Sequence, residues 1–121
     1  MPFNVLIVDD SSAIRKVLQR VLMQTDLAID TIYEAGDGAQ ALDKLREHEV
    51  SLVLSDINMP NMDGLEFLQR VSDENRTVPV IMISTEGSQT KVLRAVELGA
   101  RGYVRKPFTV EQIKEKICAA L

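Results

Sequence analysis

The 121-residue chain has one cysteine, one histidine and no tryptophan, and only 4% of it is aromatic. A single thiol, Cys118, cannot close an internal disulfide, so the fold needs no oxidising compartment and carries no cysteine metal cluster. The one histidine, His48, falls in a helical pattern away from every strand end, which predicts a solvated helix residue and no phosphohistidine or metal role. Long apolar runs are also missing: Val5 to Val8 leads straight into Asp9 and Asp10, too short for a signal-peptide core or a membrane span. A cytoplasmic protein without membrane insertion is expected. There is no internal repeat beyond the alternation described below, no low-complexity segment and no Pro/Gly/Ser-rich linker. Gly99-Ala100-Arg101-Gly102 lacks P-loop spacing and reads as a turn. Cys118-Ala119-Ala120-Leu121 matches a prenylation box, but no polybasic or flexible tail precedes it, so it reads as the end of an amphipathic helix.

What is present is ordinary globular material: 45% hydrophobic and 26% charged residues, in a chain of single-domain length, taken as one domain over residues 1–121. The net charge of -4 is unevenly spread. Residues 1–86 carry 15 acidic and 7 basic side chains, whereas residues 87–121 carry 3 acidic and 7 basic. An acidic protein is a poor general ligand for phosphate backbones, so no direct nucleic-acid partner is expected. The basic C-terminal third suits an acidic protein surface.

Val5-Leu6-Ile7-Val8, Leu52-Val53-Leu54 and Val78 to Ile83, broken only by Pro79, are continuous apolar runs, as strands covered on both faces of a parallel sheet require. Between the first two, Ile14, Val17, Leu18, Val21 and Leu22 recur on one face of a helix over Ser12 to Gln24, with Ser11 or Ser12 as its cap. The pattern repeats: a strand at Thr31 to Ala35, a helix at Ala39 to Glu47, and a helix at Leu65 to Val71 after Asp63-Gly64. It ends with a helix at Gln89 to Leu98 stopped by Gly99, a strand at Gly102 to Val104, and a last helix whose core face is Val110, Ile113 and Ile117. Five βα units with short connections imply an α/β doubly wound parallel sheet flanked by five helices. In such folds ligands sit beyond the carboxyl ends of the strands. Met23, Met59, Met62 and Met82 read as gap-filling packing.

The rule directs attention to Asp9 and Asp10 after the first strand, Asp56 after the third, Ser84 after the fourth and Lys106 after the fifth. Three carboxylates on one rim need a cation, and all-oxygen ligation suits a hard divalent ion, with Mg2+ the usual choice beside a phosphoryl group. A hydroxyl, an ammonium and a cation together complement the charge that builds on phosphoryl oxygens when a carboxylate attacks phosphorus.

Val8-Asp9-Asp10, the run Ser55-Asp56-Ile57-Asn58-Met59-Pro60-Asn61-Met62-Asp63-Gly64, Ile83-Ser84 and Lys106-Pro107-Phe108 together resemble the bacterial response-regulator receiver domain, closest to its single-domain chemotaxis members. The likeness covers essentially the whole chain and implies the strand order 2-1-3-4-5. It implies that Asp56 is the phosphoacceptor, that Asp10, Asp56 and the backbone carbonyl of Asn58 bind Mg2+ with Asp9 helping through water, and that Lys106 pairs with the phosphoryl oxygens. It also implies a cis Lys106-Pro107 peptide and a switch pair, Ser84 and Tyr103. Asn58 and Glu86 occupy the positions that set how fast phosphate is lost. Thr85 stands where the family commonly has Ala or Gly, and its branched side chain narrows access to the phosphate. The expected partners are a sensor histidine kinase or its phosphotransfer domain and a downstream protein target. The target would meet the face of the fourth helix, fifth strand and fifth helix, through Lys91, Arg94, Arg101, Tyr103, Arg105 and Lys116. A monomer is expected. Two other functions fit parts of the pattern: a receiver trimmed from a larger transcriptional or enzymatic regulator, and a small Mg-dependent phosphohydrolase of the haloacid-dehalogenase type, for whose cap domain the chain has no room.

Overall fold

Strands apolar on both faces need helices on both sides, and this requirement sets the architecture. The computed structural model of the chain describes residues 3–85 and 88–121. Strands β1 (Phe3–Val8), β2 (Ile29–Ala35), β3 (Leu52–Ser55), β4 (Val80–Ser84) and β5 (Gly102–Arg105) form one parallel sheet in the order β2-β1-β3-β4-β5. Helices α1 (Ser12–Met23), α2 (Gly38–Glu47), α3 (Gly64–Asp73), α4 (Gln89–Glu97) and α5 (Val110–Ala120) each follow one strand.

Period-two alternation divides the core into two layers. Leu6, Val8, Val53, Val80 and Met82 cluster with Leu42, Leu45, Phe67, Leu68 and Ala95 from α2, α3 and α4. Val5, Ile7, Leu52, Leu54, Ile81 and Ile83 cluster with Leu18, Leu22, Ile113 and Ile117 from α1 and α5. Each such fully buried aliphatic side chain contributes roughly 2 kcal/mol of transfer free energy, so the sheet, sealed on both faces, is a rigid base for the loops at its ends. Ser11, Asp37 and Asp63 cap α1, α2 and α3 by accepting the Ile14, Gln40 and Glu66 N–H groups, and Thr109 forms a reciprocal capping box with Gln112 on α5. Gly99, at φ 106, follows α4 in the left-handed conformation that ends a helix. Cys118, Ala119 and Ala120 lie within α5, as the helix-end reading expects.

Five local expectations need correction. β2 begins at Ile29, ahead of Thr31, and β4 begins at Val80, after Pro79, which has no N–H for the ladder. Val17 is 44% exposed, because the buried face of α1 is the narrower stripe of Leu18 and Leu22. Met23 is 73% exposed at the end of α1 and fills no gap. His48 is not a solvated helix residue. It is the C-cap of α2, with extended backbone, and its ring stacks on Tyr33 at 4.2 Å and 16°. Among the described residues no helix is long and apolar enough to cross a membrane.

Candidate functional site

A parallel sheet delivers all its carboxyl ends to one rim, and the register here places the acidic residues side by side. Val8 lies opposite Ser55, so Asp9 and Asp56 follow adjacent strand ends. The ladder continues past the strands: Asp56 N–H donates to the Val8 carbonyl at 2.9 Å, Asp9 N–H to Ala35 at 3.1 Å, and Lys106 N–H to Ser84 at 3.0 Å. Asp9 and Asp56 are thereby buried, at 2% and 8% exposure, while Asp10 stays exposed.

Lys106 Nζ sits 2.8 Å from Asp9 Oδ2 and 3.5 Å from Asp56 Oδ2. The other carboxylate oxygens are held by backbone: Ser11 N–H donates to Asp9 Oδ1 at 2.9 Å and Ile57 N–H to Asp56 Oδ1 at 2.7 Å. Oxygens of Asp9, Asp10 and Asp56 all lie within 4.8 Å of one another. One ammonium therefore faces three carboxylates, two of them largely removed from water, and Coulomb repulsion favours adding a cation. The donor set is entirely oxygen and fits a hard divalent ion such as Mg2+.

A family model described as the response regulator receiver domain matches residues 5–118. The chain belongs to this family. It is 40% identical over 117 residues to a chemotaxis protein CheY homolog of Campylobacter jejuni, covering 94% of this chain and 88% of that relative. Among solved structures, chemotaxis protein CheY4 of Vibrio cholerae shares 32% identity and a TM-score of 0.88 over the full length of both chains. CheY of Borrelia burgdorferi, solved in a CheX-CheY-BeF3-Mg complex, shares 32% identity and a TM-score of 0.90 over 98% of this chain and 89% of that one. Receivers of this CheY-like type are two-component signalling regulators and not enzymes of the ordinary kind.

Around the receiver's acidic cluster the other predicted residues fall as follows. Asn58 is exposed in the loop after Asp56, and its Oδ1 accepts a hydrogen bond from Lys91 Nζ at 3.2 Å. Ser84 is fully buried at the end of β4, and its carbonyl also accepts the Tyr103 hydroxyl at 3.4 Å. Tyr103 is half-buried against the core layer beneath α2, α3 and α4. Thr85 is exposed just beyond Ser84, and Glu86 lies outside the described residues. The Lys106-Pro107 peptide is cis.

The basic residues do not present a uniform face. Lys91 turns back toward Asn58, Arg94 pairs with Glu97 at 3.3 Å, and Arg101 donates to the Ala120 carbonyl at 3.3 Å. Arg105 and Lys116 are exposed. Leu93 and Val96 on α4 are exposed as well, an apolar component that charge counting overlooked.

Two features of the site escaped sequence reasoning. Arg15, a cation near the unfavourable N-terminal end of α1, donates from Nη1 to the Asp9 carbonyl and from Nε to Glu34 Oε1 at 2.9 Å. Its placement against the helix dipole was the available signal. The second is the loop from Asp56 to Gly64. Gly64 N–H donates to the Ile57 carbonyl at 2.7 Å, and a Cβ at Gly64 would collide with the Asp56 carbonyl oxygen and lie 2.7 Å from Met82 Cε. The tightness of that packing comes from the backbone running directly beneath Asp56, which no spacing rule reveals.

Proposed function

We propose that the receiver is a phosphorylation-activated switch whose phosphoacceptor is Asp56. The observation that carries this is the buried Asp56 carboxylate at a strand end, beside an ammonium and two further carboxylates with oxygens within 4.8 Å. The donor is a phosphohistidine on a sensor histidine kinase or its phosphotransfer domain. An Asp56 carboxylate oxygen forms the new P–O bond as the P–N bond breaks, and the imidazole leaves with the bonding pair and is protonated from solvent. Asp10, Asp56 and the Asn58 carbonyl would hold Mg2+, with Asp9 helping through water, and the charge supplied there would offset that of the phosphoryl oxygens. Lys106 moves from its carboxylate partners to a phosphoryl oxygen, and Ser84 donates its hydroxyl to another.

The signal leaves through the Ser84–Tyr103 pair, whose contact ties the end of β4 to the side chain of β5. The face of α4, β5 and α5, with Lys91, Arg94, Arg101, Tyr103, Arg105 and Lys116, then changes its affinity for a downstream protein. Asn58, Thr85 and Glu86 tune the return hydrolysis of the acyl phosphate, which with its own phosphotransfer is all the chemistry the domain performs. Support for this comes from the Borrelia burgdorferi relative, solved with CheX, BeF3 and Mg, and from the chemotaxis relatives. The protein acts as a cytoplasmic monomer in a pathway of chemotaxis type.

Intact-mass spectrometry after incubation with acetyl phosphate, with and without Mg2+, tests the proposal. One Mg2+-dependent phosphoryl adduct is expected on the wild type and none on Asp56→Asn. An adduct that persists in the variant, or no adduct from any donor, overturns it.

A further inference from the structure

We propose that Asp37 and Asn61 form a latch between the β2–α2 turn and the Asp56–Gly64 loop, making both positioning residues for the cation site. The latch rests on the assignment of the Asn58 carbonyl as a cation ligand, because that carbonyl lies in the segment the latch holds.

Asp37 is a buried carboxylate, 6% exposed, that the phosphotransfer chemistry does not use. Its Oδ1 accepts the Gln40 N–H at 2.8 Å, the ordinary work of a helix cap, which a serine or asparagine performs equally well. Its Oδ2 does something a cap does not need: it accepts Asn61 Nδ2 at 2.9 Å, across 24 residues of sequence. The Asn61 amide, and after it the Gln40 N–H, hold the Asp37 carboxyl below its usual pKa range, consistent with a carboxylate whose two oxygens are both engaged. Asn61 sits in the left-handed region at φ 64, a conformation asparagine tolerates better than most residues.

A backbone contact closes the same joint. Gly38 N–H donates to the Met62 carbonyl at 2.9 Å, and a Cβ at Gly38 would come within 2.7 Å of Met62 Cγ and 2.9 Å of Met62 O. The turn is therefore seated directly on the loop. At its base the loop is held by Ile57 N–H on Asp56 Oδ1 and by Gly64 N–H on the Ile57 carbonyl. The latch holds its outer end, so residues 58–60 span two fixed points and the Asn58 carbonyl is presented in one direction. Groups that orient a ligand without touching the ion commonly alter affinity tenfold or more.

Three variants test this: Asn61→Gly, which keeps the positive φ and removes the amide; Asn61→Asp, which sets a carboxylate against Asp37; and the exchange Asp37→Asn with Asn61→Asp. The exchange restores the hydrogen bond with donor and acceptor reversed, keeps the α2 cap and leaves the net charge at the wild-type value. Mg2+ dissociation constants come from calorimetric titration, and amide hydrogen exchange over residues 57–62 is followed without Mg2+. Asn61→Gly and Asn61→Asp should each weaken Mg2+ binding roughly tenfold and speed exchange in the loop, and the exchange variant should recover both. Recovery separates the latch from the flexibility a glycine adds by itself. A wild-type Mg2+ affinity and exchange rate in Asn61→Gly, or no recovery in the exchange variant, overturns the latch. If the wild type itself binds no Mg2+, the cation-site assignment falls, and the latch to that site with it.

Discussion

The two ends of the sheet carry similar charged residues and behave differently. At the amino-terminal end of β3 and β4, a depression of about 820 Å³ is lined by Arg46, Glu74, Arg76 and His48. There Glu74 is bracketed by Arg46 at 2.6 Å and Arg76 at 3.0 Å, and Arg46 also reaches Asp43 at 3.3 Å. Two guanidinium groups pair with Glu74 and Asp43 there, in side chains that all reach solvent, and the exposed Glu47 and Glu49 line the same depression. At the carboxyl end three carboxylates face one ammonium, and the two strand-end aspartates are buried. Neither the size of an opening nor its density of charge marks a functional site. An imbalance of buried charge does, because the molecule can relieve it only by binding something or by losing stability.

The sharpest way to break this contrast is to disturb the carboxyl-end rim through its packing. Gly64→Ala forces a methyl group against the Asp56 carbonyl oxygen and Ile57 Cα, both backbone atoms that cannot swing aside. Urea denaturation should show a loss of about 3 kcal/mol, with phosphorylation of Asp56 abolished or strongly reduced. Full stability and normal phosphorylation in this variant would mean that the acceptor loop is not fixed from below. A smaller effect of opposite sign is expected at Asp10. Asp10→Asn removes one of three mutually repelling carboxylates, so in EDTA the variant should be more stable than the wild type by about 1 kcal/mol. Saturating Mg2+ should reverse the ranking, since it stabilises the protein that binds it better. A variant less stable than the wild type in EDTA would show that the cluster carries no unrelieved repulsion.

Most of the fold is readable from the chain because its local signals agree. Val5 to Val8 and Leu52 to Leu54 are apolar on both faces, Ser11 falls where α1 needs its cap, and Gly99 stands where α4 must stop. Asp9, Asp10, Asp56 and Lys106 were legible for a topological reason: each directly follows a strand, and a parallel sheet gathers strand ends. The order β2-β1-β3-β4-β5 came from family likeness, since alternation alone does not say on which side β2 lies. What stayed hidden depends on contacts between distant segments. The stacking of His48 on Tyr33, the reach of Arg15 to the Asp9 carbonyl and the seating of Gly38 on Met62 are invisible to periodicity. Exposure of Val17 was missed because a helical stripe predicts a face but not its width, and that of Met23 because its packing was inferred from residue type alone.

The smallest expected effect is at the amino-terminal rim, where the ion pairs reach solvent. Arg46, and then Arg76, hold the Glu74 carboxyl below its ordinary value of 4.5. A carboxylate with a lowered folded-state pKa stabilises the fold fully above its unfolded value and loses that contribution as pH falls through the folded one. Glu74→Gln should therefore be slightly less stable than the wild type at neutral pH. The gap should close as pH falls through that lowered value, and it should also close in about 1 M salt, where the Debye length shrinks to roughly 3 Å. Urea midpoints across pH and salt check this. The same variant should bind Mg2+ and take up phosphate as the wild type does, because Glu74 and its two arginines lie at the opposite end of the sheet from the acidic cluster, in side chains that solvent reaches and salt screens. A changed Mg2+ affinity in Glu74→Gln would join the two rims electrostatically and remove the distinction between them.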